Sequence, residues 1–291
     1  MRIGFFDSGI GGITVLAEAL AMLPDEEYLF LADVDHVPYG EKTSEEIAHY
    51  ARDNARFLLS EGVQAIVVAC NTATAVAIRA LREMTDIPVI GMEPAVKPAV
   101  EALSAGEDRR AARVLVTATP VTLREAKLKD LIDRVDPDHR VDLAPLPGLV
   151  PLAEREVFDD PQVDSYLDTA LAGIRAQDYS AVVLGCTHFL YFKPAFRRLL
   201  GNEIRLIDGN EGTVRRLADV LGLALRSNGS VREPAGSAVL SDTTADTERT
   251  GKRSAMEYVT FYQSGRRVED PETLERYARL LRRAGEMNRY R

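Results

Sequence analysis

Short, uninterrupted apolar runs alternate along the chain with longer stretches whose apolar residues recur every three or four positions. The runs Ile3–Phe6, Tyr28–Ala32, Ala65–Ala69, Pro88–Gly91, Arg113–Ala118, Val141–Ala144, Ala181–Gly185 and Glu203–Ile207 predict strands buried on both faces, the pattern of parallel sheet. The periodic stretches Ile13–Leu23, Ser44–Glu61, Thr74–Met84, Leu123–Val135, Asp164–Gln177, Pro194–Leu200 and Thr213–Leu225 predict helices. In Ser44–Glu61 the residues Ile47, Ala51, Ala55, Leu58 and Leu59 share one face, Ser44 with the acids behind it forms the N-terminal cap, and Gly62 closes the helix. The stretch 228–253 is rich in Ser, Gly, Thr and charge and reads as loop, with a short edge strand over Ser237–Leu240. Glu257–Tyr262 then predicts a last strand and Pro271–Arg283 a last helix.

Strand and helix alternate throughout, which predicts α/β architecture. The order strand, turn, helix, strand, loop, helix, strand occurs twice. The shift that carries Cys70 onto Cys186 brings Asp7 within a few residues of Thr119 and Tyr28–Gly40 roughly onto Ala144–Glu154. This reads as two α/β halves related by pseudo-symmetry. The expected division is 1–96 with 209–291 as one domain, completed by the C-terminal segment, and 97–208 as the second.

Composition narrows the function. With 291 residues, 46% hydrophobic and 28% charged, the chain has the profile of a globular protein. A net charge of −9 argues against nucleic acid or an anionic membrane as partner. No apolar run approaches the roughly 18 residues of a membrane span, and Met1 leads straight into a strand without a signal peptide. The expected setting is the cytoplasm, where two cysteines are not expected to form a structural disulfide.

Those two cysteines, Cys70 and Cys186, each end an apolar strand and are each followed by hydroxyl or amide residues. The carboxyl ends of strands are where open α/β sheets bind ligands. A lone buried cysteine is usually a small hydrophobe. There is no CxxC, and one neighbouring histidine cannot complete four zinc ligands. The alternative is a pair of thiol acid/bases on opposite faces of an amino-acid Cα, one removing the proton and the other returning one. Asp7-Ser8-Gly9 is either a turn and helix cap or a set of free backbone N–H groups that holds a carboxylate, with Asp7 polarising a thiol or an ammonium. The stretch matches neither a dinucleotide fingerprint nor a Walker loop. His188 is either structural or a stabiliser of the Cys186 thiolate. Tyr39-Gly40 is a turn or a ligand contact, and Glu154 reads as an ordinary solvated charge.

Taken together, Asp7-Ser-Gly-x-Gly-Gly, Pro38-Tyr-Gly, Cys70-Asn-Thr-Ala-Thr, Glu93-Pro-Ala, Ala118-Thr119 with Thr122, Pro151-Leu-x-Glu154 and Gly185-Cys-Thr-His-Phe resemble the glutamate racemases of the cofactor-independent Asp/Glu racemase superfamily. The match runs from Met1 to about Thr213. The resemblance implies two doubly wound α/β domains with mainly parallel sheets, an interdomain site, a homodimer and no cofactor or metal. It implies interconversion of L- and D-glutamate, with D-glutamate supplied to peptidoglycan. In this scheme Cys70 deprotonates the D-isomer and Cys186 the L-isomer. Asp7 assists at Cys70, and His188 with Glu154 behind it assists at Cys186. Asp7, Ser8, Tyr39, Gly40, Asn71, Thr72, Thr119, Thr122, Thr187 and His188 hold the substrate.

The chain departs from the family pattern at Pro120-Val121, at Glu125 in place of serine, in the loop Pro145-Leu-Pro-Gly148, and at Leu190-Tyr-Phe192 in place of proline. The first two touch the wall of the site that the second half supplies. An aspartate or hydantoin racemase of the same superfamily, and a non-catalytic binding protein on this scaffold, are the competing readings.

Overall fold

A computed structural model describes residues 1–104, 113–226 and 255–290. The expected loop 228–253 and its edge strand Ser237–Leu240 lie outside the described residues.

The first sheet is built from β1 (Arg2–Asp7), β2 (Glu27–Ala32), β3 (Ala65–Val68), β4 (Val89–Gly91) and two late strands, β9 (Val259–Gln263) and β10 (Arg266–Arg267). Its order is β10-β9-β2-β1-β3-β4, parallel throughout except for the terminal β9–β10 hairpin. The second sheet contains β5 (Arg113–Ala118), β6 (Val141–Pro145), β7 (Tyr179–Leu184) and β8 (Arg205–Ile207), all parallel, in the order β6-β5-β7-β8. The order second, first, third, fourth is therefore common to both halves. In such a sheet the chain leaves the first strand in one direction and returns beyond it in the other. The crevice at the carboxyl ends of the first and third strands is then the ligand position. Asp7 ends β1 and Thr119 follows β5, while Cys70 and Cys186 follow β3 and β7.

The central strands are apolar along most of their length because helices cover both faces. In β3 all four residues, Ala65 to Val68, are buried. The helix α1 (Ile13–Met22) and the last helix, here α11 (Pro271–Arg289), pack together on one face of the first sheet. Phe30 on β2, Phe261 on β9 and Tyr277 on α11 form an aromatic trio with ring centroids 4.7–6.3 Å apart. Each is fully buried, which contributes about 1.5–3 kcal/mol per side chain and fastens the C-terminal segment to β2. One continuous core runs from these residues through Phe189 and Tyr191 to Leu115, Val182 and Leu184 of the second sheet.

Several helix limits differ from the sequence reading. The cap of α2 (Ser44–Ser60) is Thr43, not Ser44: its hydroxyl accepts the Glu46 N–H while Glu46 accepts the Thr43 N–H, a capping box. The helix α3 (Asn71–Glu83) begins three residues before the expected Thr74, because Cys70 itself is the N-cap. After α4 (Val96–Ser104), the expected helix Leu123–Val135 divides into α5 (Pro120–Arg124) and α6 (Ala126–Val135), broken at an extended Glu125. A short helix, α7 (Leu149–Glu154), begins within the loop that the sequence predicts over Pro145–Pro151. The helix expected from Asp164 is α8 (Pro161–Ala170), started by the Asp160 cap and Pro161. The helices α9 (Lys193–Leu200) and α10 (Asn210–Leu221) complete the second half and its exit.

Candidate active site

The glycine-rich turn after β1 is the centre of the arrangement. Asp7 is completely buried. Its Oδ1 accepts the Gly9 N–H at 3.0 Å and the Ser8 hydroxyl at 3.4 Å, and its Oδ2 accepts the Thr187 hydroxyl from the other half at 3.0 Å. Burial pushes this carboxyl above its ordinary range, while the nearby His188 imidazole, the Gly9 N–H and the Thr187 hydroxyl pull it partly back. Two of the turn's N–H groups, which one sequence reading has holding a carboxylate, are already engaged within the protein. Gly9 is engaged by Asp7, and the Ile10 N–H donates to Glu154 Oε1 at 2.8 Å.

Two glycines allow this approach. A Cβ on Gly9 would overlap the Glu154 carboxylate, and one on Gly11 would overlap Thr187 Oγ1 and His188 Nδ1. The halves meet here with backbone against side chain, which only glycine permits.

Cys70 is a free, buried thiol. Its sulfur accepts the Ala73 N–H at 3.4 Å at the start of α3 and lies 3.9 Å from Ser8 Oγ. Burial raises the thiol well above its ordinary value, and the Asp7 carboxylate and the Cys186 sulfur add to this, against the opposing Ala73 N–H. Asp7 thus makes the Cys70 thiolate harder to form and more basic once formed, rather than favouring it.

Cys186, also free and buried, is followed by a 3-10 turn over Thr187–Phe192. Its sulfur is 3.8 Å from His188 Nδ1, and His188 Nε2 is 2.7 Å from Glu154 Oε1. His188 is buried, which by itself disfavours its charged form. Its bonds with Cys186 and Glu154 outweigh that and hold the imidazole well above 6.5. Glu154 is disfavoured as an anion by burial, yet His188 and the Ile10 N–H bring its carboxyl below the ordinary range. Glu154 is therefore not a solvated charge. One set of contacts runs from Cys70 through Ser8 and Asp7 to Thr187, the chain neighbour of Cys186, and a second runs from Cys186 through His188 and Glu154 to Ile10.

The remaining predicted residues fall into two groups. Thr72 from the first half and Thr119 and Thr122 from the second form a triangle of buried hydroxyls, with Oγ1 atoms 2.9–3.1 Å apart. Asn71 is buried beside them and its Oδ1 has no hydrogen-bond partner. Asn71 and Thr122 also line a small cleft with Thr74, Met92, Glu93 and Lys127; its lining includes neither cysteine. Tyr39 and Gly40 lie in a short turn beside this cluster. Gly40 packs so closely on Thr119 that an added Cβ would lie 2.8 Å from the threonine Cβ. The Tyr39 hydroxyl is already committed, donating to Asp33 Oδ2 at 2.5 Å and accepting from Asn54 Nδ2 at 3.0 Å. What this loop turns toward Thr119 is its backbone.

Asp33 and Asn54 were missed in sequence. Asp33 follows β2 as Asp7 ends β1, and it also accepts from Ser264 Oγ at 3.0 Å. Asn54 is a polar residue on the apolar face of α2, buried with Ile47, Ala51, Ala55 and Leu58; that misplaced polarity was the available signal. Glu125, a departure noted above, accepts the Ser44 hydroxyl at 2.8 Å across the halves. Among the described residues no group of three or more His, Cys, Asp or Glu is placed to hold a metal ion, and no helix is long and apolar enough to cross a membrane.

Comparison with known proteins places this arrangement. The model of the Asp/Glu/Hydantoin racemase family matches residues 13–217. The glutamate racemase of Halothermothrix orenii is 50% identical over 233 residues, covering 79% of this chain and 90% of that protein. Glutamate racemase 2 of Bacillus subtilis is 42% identical over 281 residues, 97% of this chain and 95% of that one. The crystal structure of Escherichia coli glutamate racemase in complex with L-glutamate and an activator superposes with a TM-score of 0.69 at 30% identity, covering 78% of this chain and 84% of that chain. By the span of the family match and the depth of these identities, the chain belongs to the Asp/Glu/Hydantoin racemase family.

Proposed function

We propose that the protein is a glutamate racemase that moves the Cα proton between two cysteines. The observation that carries this reading is that a free, buried thiol follows the equivalent strand of each half, with Asp7 joined through Ser8 to Cys70 and directly to Thr187, the chain neighbour of Cys186. Relatives named glutamate racemase at 42–50% identity support the substrate.

The Cα–H bond is a weak acid, so the base must be strong, dry and in contact with it. Burial supplies the dryness: Cys70 and Cys186 are 6% and 7% exposed. With L-glutamate, the Cys186 thiolate, paired with imidazolium His188, takes the Cα proton. The electron pair remains on Cα, delocalised into the α-carboxylate. The Cys70 thiol then donates its proton to the opposite face, and D-glutamate results. The return reaction begins from the Cys70 thiolate, whose raised proton affinity suits it to a weak carbon acid. Ser8, Asn71, Thr72, Thr119, Thr122, Thr187 and the backbone at Tyr39-Gly40 hold the carboxylates and ammonium. The three-hydroxyl triangle offers convergent donors to an anion, and Asn71 Oδ1 offers an acceptor to an ammonium.

The same reading assigns 1–96 with 209–291 and 97–208 to two domains that part to admit substrate. It places a homodimeric enzyme in the cytoplasm, needing no cofactor and feeding D-glutamate to peptidoglycan. The test is the optical rotation of L-glutamate in D2O with the purified protein. The expected result is loss of rotation with one deuterium entering at Cα, abolished by Cys70→Ser and by Cys186→Ser. Turnover confined to aspartate would move the protein to the neighbouring specificity, and activity that survives both serines would end the two-thiol scheme.

A further inference from the structure

Glu154 is the last residue of α7, so its backbone carbonyl has no partner within the helix. Two residues on, Glu156 takes a left-handed backbone with φ of 57°, a conformation that costs a non-glycine residue about 1–2 kcal/mol. Both features are met by one side chain from a distant part of the chain. Arg276 on α11 donates from Nη2 to the Glu154 carbonyl at 3.0 Å and from Nε to Glu156 Oε1 at 2.6 Å. Its charge also favours the ionised Glu154 carboxylate.

Arg276 is itself well fixed. Its neighbour Tyr277 stacks on Phe261 with centroids 4.7 Å apart. Two turns further along α11, Arg283 pairs with Asp159 at 2.8 Å and donates to the Tyr191 carbonyl at 3.3 Å. At the far end the Met287 carbonyl accepts from the buried Lys193 at 2.8 Å. The helix α11 thus grips the loops that follow Glu154 and Cys186. All of it lies beyond the residues 13–217 that the family model spans.

We propose that Arg276 is a positioning residue: by pinning the Glu154–Glu156 turn it aims the Glu154 carboxylate at His188, and so supports the Cys186 side of the reaction and not the Cys70 side. This rests on the racemase reading. The two enantiomers have equal free energy, so kcat/KM must remain equal in the two directions in any variant. The effect therefore shows in isotope effects, which report the side on which the barrier has risen.

The experiment measures racemisation by Arg276→Gln, Arg276→Lys and Arg279→Gln, with Cα-deuterated L- and D-glutamate, alongside melting temperature. Arg279 lies on the same helix, is exposed and pairs with Glu275. For Arg276→Gln we expect kcat to fall about tenfold to a hundredfold, the range for a misaimed catalytic group. KM changes little, the isotope effect grows from the L-isomer and shrinks from the D-isomer, Arg276→Lys recovers most of the loss, and Arg279→Gln behaves as wild type. Unchanged kinetics in Arg276→Gln would overturn the proposal. So would a loss that leaves the balance of the two isotope effects as it was, or one that only follows the folded fraction. A second readout needs no turnover: the His188 imidazole, followed by NMR, should titrate at lower pH in Arg276→Gln than in wild type. An inactive wild type in which this displacement is seen would defeat the glutamate reading and leave the positioning role standing; no displacement would defeat the positioning role alone.

Discussion

The two cysteines occupy the same place in the two halves and live in different surroundings. Cys70 is the N-cap of a 13-residue helix, with the Ala73 N–H on its sulfur and Asp7 and Ser8 nearby. Cys186 caps nothing with its side chain; a 3-10 turn follows it, and His188, backed by Glu154, faces its sulfur. On one side the thiol is dry and beside an anion, so its proton is held tightly. On the other, an imidazole kept cationic by a carboxylate stands ready to balance a thiolate. A repeated topology therefore sets where the two sulfurs are, while the next three or four residues and their long-range partners set what each sulfur does. The proposed two-face proton transfer needs one thiol protonated at the start, and the surroundings of Cys70 favour that state.

Replacement of the Cys186 partner is the most severe test of this contrast. His188→Asn keeps a polar side chain and removes the imidazolium. We expect kcat to drop about a hundredfold or more, the usual contribution of a positioned acid/base, with the isotope effect growing from the L-isomer. Ser8→Ala, on the Cys70 side, removes only a hydroxyl 3.9 Å from the sulfur and should cost less than about tenfold. Equal losses in the two variants, measured as kcat at saturating substrate, would mean that the sides are not differently tuned.

The alternating architecture and the place of both thiols were legible because buried parallel strands leave uninterrupted apolar runs, as at Ala65–Val68 and Ala181–Leu184. Helix beginnings were less legible. Asn71 and Thr72 look like loop residues, yet they form the first turn of α3 once a cysteine serves as its cap. The helix α7 was hidden by Pro151, which is tolerated because it falls in the first turn, where no N–H partner is required. Motifs located Asp7, Glu154 and His188 but not their mutual arrangement. The contact of Ile10 with Glu154 spans 144 residues and that of Thr187 with Asp7 spans 180; no local pattern encodes such distances. Gly9 and Gly11 read as turn residues, and only the packed structure gives their second purpose, which is to let Glu154, Thr187 and His188 come close. Asp33 and Arg276 lay outside every motif and were not found.

The close approach can be tested without altering a chemical group. Gly11→Ala places a methyl where Thr187 Oγ1 and His188 Nδ1 stand. We expect about 1–3 kcal/mol of lost stability, typical of overpacking, together with a fall in kcat from displacement of both side chains. Gly173→Ala is the control, since nothing lies within 4 Å of a Cβ there. A Gly11→Ala variant with wild-type melting temperature and kcat would mean that the turn and the Thr187–His188 segment can separate freely.

The smallest effect expected is on stability as pH changes, and it distinguishes the two sides by where it begins. His188 binds its proton more tightly folded than unfolded, so its contribution is complete below 6.5 and is lost as pH rises through the higher folded value. Cys70 is also raised, so its contribution holds below 9.0 and is lost only at higher pH. Glu154 is lowered, so its contribution is present above 4.5 and is lost as pH falls through the folded value. Asp7 is raised, so its contribution is complete below 3.8 and is lost as pH rises through its higher folded value, a slope opposite to that of Glu154. The alkaline limb is therefore the informative one. Melting temperature should decline in wild type from above neutrality. The part of the decline that begins nearer 6.5 should be missing in His188→Asn, and the part that begins above 9.0 should be reduced in Cys70→Ser. For a chain of this size the differences amount to about 2–4 °C per kcal/mol. Curves for the two variants that run parallel to wild type across the whole range would mean that neither group changes its proton affinity on folding, and the electrostatic contrast between the two thiols would be lost with it.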